Sequence, residues 1–173
     1  MMTDNSALQK LNAATEGAAW DELLRCCGAS KWVLIVMNGR PFANVETLYT
    51  RSEEALNKLD HTDWLEAFAH HPKIGDIDSL RSKFATTSTW AGNEQAGTNA
   101  ASEATLQALA QGNTDYEDKF GFIFIICATG KSADEMLAVL QTRLNNDKET
   151  ELQNAAEQQK QITRLRLGKL LEL

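Results

Sequence analysis

Apolar residues return at intervals of three and four along nearly the whole chain, and only two prolines and ten glycines interrupt the pattern. That period belongs to the helix and not to the strand. Trp20, Leu23, Leu24 and Cys27 predict one helix over residues 17–27. "SKWVLIVMNGRPF" predicts another, with Ser30 as N-cap and "GRP" as its stop. Val45, Leu48 and Tyr49, then Leu56 and Leu59, continue the spacing. "HTDWLEAFAHH" carries it to Pro72 through Trp64, Leu65 and Phe68. "KIGDIDSLRSKF" reads as a turn and a short amphipathic piece. The Ala/Glu/Gln-rich residues from Thr89 to about Gln111 read as a helix despite Gly92 and Gly97. Ser132-Ala-Asp-Glu135 is a capping box that opens a further helix, and a last one runs from Lys148 to Leu171. "FGFIFIICATG" (120–130) is the exception: its aromatic and β-branched residues are strand-like. No second segment offers it a partner. The expectation is an all-α, single compact multi-helix domain over residues 1–173, with one short buried extended segment near 120–130.

Length and charge narrow the functional classes. A chain of 173 residues buries a real core without disulfides or metals. Its net charge of −7 argues against a nucleic-acid binder, which would carry a basic face. The longest apolar run, "FIFIICA", is too short to span a membrane. The N-terminus lacks the basic and apolar stretches of a secretory signal. Three cysteines, Cys26, Cys27 and Cys127, have no C-x-x-C spacing and read as reduced thiols, which makes the cytoplasm the expected compartment. A redox role for the Cys26–Cys27 pair stands against simple burial.

Certain polar residues sit where a purely structural helix would not need them. His71 precedes Pro72, which pushes it out of helical geometry at the end of an apolar helix. On a wheel of the last helix, Leu152, Ala155, Ala156, Leu167 and Leu170 form one stripe. Arg166 falls about 40° from its centre, whereas Arg164 points about 120° away. An inward arginine requires an anion, which is either a substrate or a structural partner, unless the side chain snorkels to water. Glu94, followed by Gln95 and flanked by small residues, is either a site carboxylate or a solvated one. Metal binding by His70 and His71 is disfavoured, because adjacent helical side chains diverge by about 100°. There is no H-E-x-x-H, no P-loop, no G-x-G-x-x-G and no G-x-S-x-G.

"HPKIG" (71–75), "EQAG" (94–97), "KFGFIFIICATG" (119–130) and "ITRLRLGKLL" (162–171), with "RPF" (40–42) before them, occur in an order that resembles one family. It is the 2-oxo-4-hydroxy-4-carboxy-5-ureidoimidazoline (OHCU) decarboxylases of urate degradation. The resemblance runs from Arg40 to Leu171. It implies an all-α homodimer that needs no cofactor and no metal and converts a small ureidoimidazoline to (S)-allantoin and carbon dioxide. It places catalytic roles on His71, Glu94 and Arg166. Substrate contacts fall on Pro72, Gln95 and the stretch Phe124, Ile125, Ile126, Cys127 and Ala128. Ala91 stands where members of the family often have serine, so a hydroxyl contact there is replaced by a methyl group. Two other readings remain open at this point: a lyase acting on a different ureide, and a non-catalytic helical adaptor.

Overall fold

The computed structural model describes residues 5–72, 77–90 and 102–173. Among these are nine helices: α1 (Ser6–Ala13), α2 (Glu16–Cys26), α3 (Ser30–Met37), α4 (Val45–Leu56), α5 (His61–Ala69), α6 (Ile77–Trp90), α7 (Glu103–Phe120), α8 (Ala133–Arg143) and α9 (Lys148–Leu170). No strand occurs among the described residues, so the protein is all-α. No described helix is long and apolar enough to cross a membrane.

The chain forms two compact units, Met1–His71 with Ala156–Leu173, and Pro72–Ala155. In the first, α3 packs against α2, α4 and α5. Trp32, Val33, Val36, Leu23, Leu48, Phe68 and Leu167 are buried there. The "RPF" turn is held by Asn12 of α1, whose side chain accepts from Phe42 N–H at 2.8 Å and donates to Phe42 O at 2.9 Å. Arg40 completes the clasp through the carbonyls of Asn12 and Ala14. Phe42 can be buried there because its backbone N–H and C=O are both paired. In the second unit α7 lies against α6 and α8, around Leu80, Phe84, Leu106, Leu109, Tyr116, Phe120, Met136 and Leu140.

Three boundaries differ from the sequence expectation. Ser30 is not an N-cap but the first helical residue: Ala29 occupies the cap without a side-chain bond. Ser30 N–H and Oγ–H instead donate to Glu66 Oε1 of α5, so a tertiary acceptor does the work of a local one. The helix expected over 89–111 does not pass through Ser102, which is extended and caps α7 by accepting from Thr105 N–H. That helix then continues beyond Gln111 to Phe120, where Gly121 at φ +81° ends it in the left-handed geometry that glycine adopts without strain. Finally, α1 has an Asn5 cap and buried Leu8 and Leu11, a helix too short to stand out by periodicity. The Ser132–Glu135 capping box is present as read.

Candidate active site

Pro72 sets the geometry at the end of α5. His70 is the C-cap, and the chain leaves the helix with His70 N–H on Ala67 O and His71 N–H on Phe68 O. The two imidazoles diverge. His70 is exposed and lies over Gly28, where a Cβ would come within 2.4 Å of the His70 Cβ and Cγ. Only glycine leaves space for that ring. His71 is half-buried, and its Nε2 is 2.5 Å from Gln159 Oε1 of α9.

Gln159 belongs to a stripe that the apolar wheel did not reveal. The buried positions of α9 and its end are Glu151, Ala155, Gln159, Thr163, Leu167 and Leu171, one every four residues. Four residues advance about 400°, so this line winds round the helix by about 40° per step. A single averaged face therefore captures Ala155 and Leu167 but leaves Leu152, Ala156 and Leu170 half-buried. It also misses the three polar members, all fully buried. Gln159 Nε2–H donates to Thr163 Oγ1 at 3.1 Å, and Thr163 Oγ–H donates to Gln159 O at 2.8 Å. Glu151, Gln159 and Thr163 have a spacing that exposed polar residues on a helix share, so the sequence carried no separate signal for their burial.

The arginines of α9 separate clearly. Arg166 is half-buried, and its Nη1 donates to Arg25 O at 3.2 Å. Arg164 has a side chain 60% exposed, pairs with Glu53 at 3.1 Å and lies 4.4 Å over the Tyr49 ring. Arg166 also faces a cavity of about 490 Å³ lined by Asp21, Leu24, Arg25, Gly28, Ala67 and His70. Its rim carries Arg25, Arg166, His70 and the Asp21 carboxylate, and so suits a polar ligand more than an apolar one; His71 is not part of that lining.

Burial pushes the His71 pKa below the ordinary histidine value. The Gln159 hydrogen bond opposes that shift, while Arg166 and His70 reinforce it. At neutral pH the ring is therefore uncharged, with one lone pair available. Burial also pushes the neighbouring thiols up, Cys26 to about 12 and Cys27 to about 11. Both stay protonated and unreactive, despite the opposing field of Arg166.

In the second unit, residues 123–128 form neither helix nor strand, and Ile125 and Cys127 are buried between half-buried neighbours. A buried cluster anchors it. Arg143 Nη1 donates to Ile125 O at 2.7 Å, and its guanidinium lies 4.7 Å from the Phe124 ring. Arg143 also forms an ion pair with Glu151 at 2.5 Å. Tyr116 Oη–H donates to Glu151 Oε1 at 2.5 Å, and Asn146 and Asn154 donate to Glu151 Oε2. The far end is held by Lys131, through Cys127 O and Ala128 O. The N–H groups of Phe124, Ile125 and Ile126 have no partner among the described residues. An anchored peptide with free edges can read amide groups of a ligand.

The structure thus brings His71 and Arg166 into one unit with Gln159 and Thr163. It places exposed Pro72 and the 124–128 stretch in the other. Glu94, Gln95 and Ala91 lie outside the described residues.

A family model described as OHCU decarboxylase matches residues 12–168. The chain belongs to the OHCU decarboxylase family. It is 42% identical over 153 residues to the uric acid degradation bifunctional protein TTL of Arabidopsis thaliana, covering 87% of this chain and 46% of that protein. The chain also spans only 25% of a Bacillus bifunctional relative. Against the 2-oxo-4-hydroxy-4-carboxy-5-ureidoimidazoline decarboxylase of Amia calva, identity is 32%, covering 79% of this chain and 78% of the relative. A crystal structure of an OHCU decarboxylase in the presence of (S)-allantoin superposes with a TM-score of 0.69 at 39% identity, over 88% of this chain and 99% of that one. The chain thus spans less than half the length of either bifunctional relative.

Proposed function

We propose that this chain is a carboxy-lyase that converts OHCU to (S)-allantoin and carbon dioxide in urate degradation. The observation that carries the proposal is the 39% identity to an OHCU decarboxylase solved with (S)-allantoin, over nearly all of that chain. The chemistry fits the residue types. The C–C bond to the carboxylate breaks, its electron pair forms a C=C bond to the neighbouring ring carbon, and the C=N pair moves onto nitrogen, which takes up a proton from water, so no cofactor is required as an electron sink. The resulting enol loses its hydroxyl proton, and a proton is added to one face of the neighbouring ring carbon, setting the (S) centre.

His71, neutral at the pH of reaction, accepts the hydroxyl proton and returns a proton to that face. Arg166 supplies positive charge to the substrate anion, its guanidinium oriented by the Arg25 carbonyl. Glu94 orients the hydroxyl and stabilises the imidazolium when it forms, with Gln95 as a further hydrogen-bond partner. The peptide edges of Phe124–Ala128 and the Pro72 backbone read the ring and ureido amides. Ala91 contributes only its methyl group. The enzyme works as a cytoplasmic homodimer.

The test is OHCU generated chemically and followed by circular dichroism with and without the protein. Allantoin of (S) configuration should form faster with it, at a rate unchanged by EDTA. Racemic product at the uncatalysed rate would overturn the proposal and favour a helical adaptor. Turnover of another ureide alone would favour a different lyase. Sedimentation analysis checks the dimer, and fractionation of cells checks the compartment.

A further inference from the structure

A line of polar side chains runs inward from His71, and its donors and acceptors can be assigned in one self-consistent way. The Thr163 hydroxyl has one hydrogen, and it goes to Gln159 O at 2.8 Å. Toward the Gln159 side chain, 3.1 Å away, the same oxygen can only accept. With that hydrogen directed away from the side chain, the amide turns its NH2 to Thr163 and its Oε1 to His71. The Thr163 contact that opposes the rise of the buried Cys27 pKa is one the hydroxyl donates to sulfur; whether its hydrogen goes there or to Gln159 O, the oxygen accepts from the Gln159 side chain. Since Oε1 only accepts, His71 Nε2 must carry the imidazole hydrogen across the 2.5 Å contact. A neutral ring has one N–H, so its lone pair is on Nδ1, which has no partner among the described residues.

We propose that Gln159 and Thr163 are positioning residues that lock His71 as the Nε2–H tautomer, making Nδ1 the atom that exchanges a proton with the substrate. Cys27, Gln159 and Thr163 are fully buried. The opposite tautomer would set two acceptors face to face with no water to relieve them, an expensive arrangement. The choice of an amide has a consequence. A carboxylate in that position would also hold the ring, but it would raise its basicity. The neutral acceptor orients His71 while leaving it uncharged, in the company of Arg166 on α9 and of His70 at the C-cap of α5. That is the state a proton acceptor needs.

The catalytic use of Nδ1 rests on the proposed decarboxylation, but the tautomer does not, and two measurements separate them. Long-range 1H–15N spectra of labelled protein at neutral pH should show His71, assigned by its loss in His71→Asn, with Nε2 protonated and Nδ1 unprotonated. Thr163→Ser should preserve that signature, whereas Thr163→Val and Gln159→Leu should replace it by averaged shifts. Gln159→Glu, which keeps the shape of the side chain, should move the imidazole titration and the acid limb of kcat/KM upward together by about one pH unit or more. Gln159→Leu should lower kcat about tenfold or more, with KM changed less than about threefold. An averaged or Nδ1–H signature in the unmodified protein, or a Gln159→Glu titration that does not move, would overturn the lock. A locked tautomer in a protein that fails to turn over OHCU would overturn the reaction and leave the lock standing.

Discussion

His70 and His71 are adjacent in sequence and opposite in circumstance: one lies exposed over Gly28, the other is half-buried against Gln159. His71→Asn should lower turnover by about a hundredfold or more, the usual size of an acid–base contribution, with the circular dichroism of the helices unchanged. His70→Asn should cost far less, and equal losses in the two variants would show that the motif is read one residue out. Activity should fall as pH drops through the His71 pKa, which burial places below the ordinary histidine range, because protonation removes the lone pair. The arginines offer a second paired comparison. Arg166→Lys keeps the charge but loses the planar fork, so KM should rise by about tenfold or more, equivalent to losing one charged hydrogen bond. Arg164 is solvent-facing, and Arg164→Lys should be close to neutral in kinetics at fixed ionic strength. The reverse ranking would remove Arg166 from the proposed site.

Among the elements, the 122–128 segment depends most on a partner outside itself. It has strand composition but no strand beside it, and Arg143 of α8 supplies the carbonyl contact that a ladder would otherwise provide. The guanidinium is held in turn by Glu151, which is fully buried. Removing one member of such a pair leaves the other charged in a medium that cannot solvate it, at a cost of about 3–5 kcal/mol. Arg143→Met should therefore destabilise the protein by that amount in urea unfolding. Backbone 15N relaxation should also show Phe124–Ala128 gaining mobility before α7 or α8 does. A uniform gain would mean that the segment is not separately anchored.

Across the whole molecule, α9 contributes residues 148–155 to one compact unit and 156–170 to the other. We propose that the chain is nonetheless one folding domain, because a helix shared in this way cannot melt in one unit without losing hydrogen bonds at its junction. Calorimetric and van't Hoff enthalpies should then agree, and two resolved transitions would overturn the proposal. Stability should also depend on pH through His71. Its folded pKa lies below its unfolded value, so the unfolded chain binds the proton more readily. The contribution is present above the ordinary histidine pKa and is lost as pH falls toward the folded one. The melting temperature should decline through that window, and His71→Asn should flatten the decline.

Local signals were legible in the sequence by itself: the helical period, the proline that ends α5, the Ser132 capping box and the order of the family motifs. The first three were legible because each acts between residues a few positions apart, whose relation the backbone geometry dictates. The tertiary structure alone decided the Ser30–Glu66 contact, the break at Ser102, the Arg143 anchor and the approach of Gln159 to His71, 88 residues away. A buried glutamine, glutamate or threonine has the same local signature as an exposed one. What separates them is whether a distant donor or acceptor meets them when water is removed, and no spacing along one helix records that.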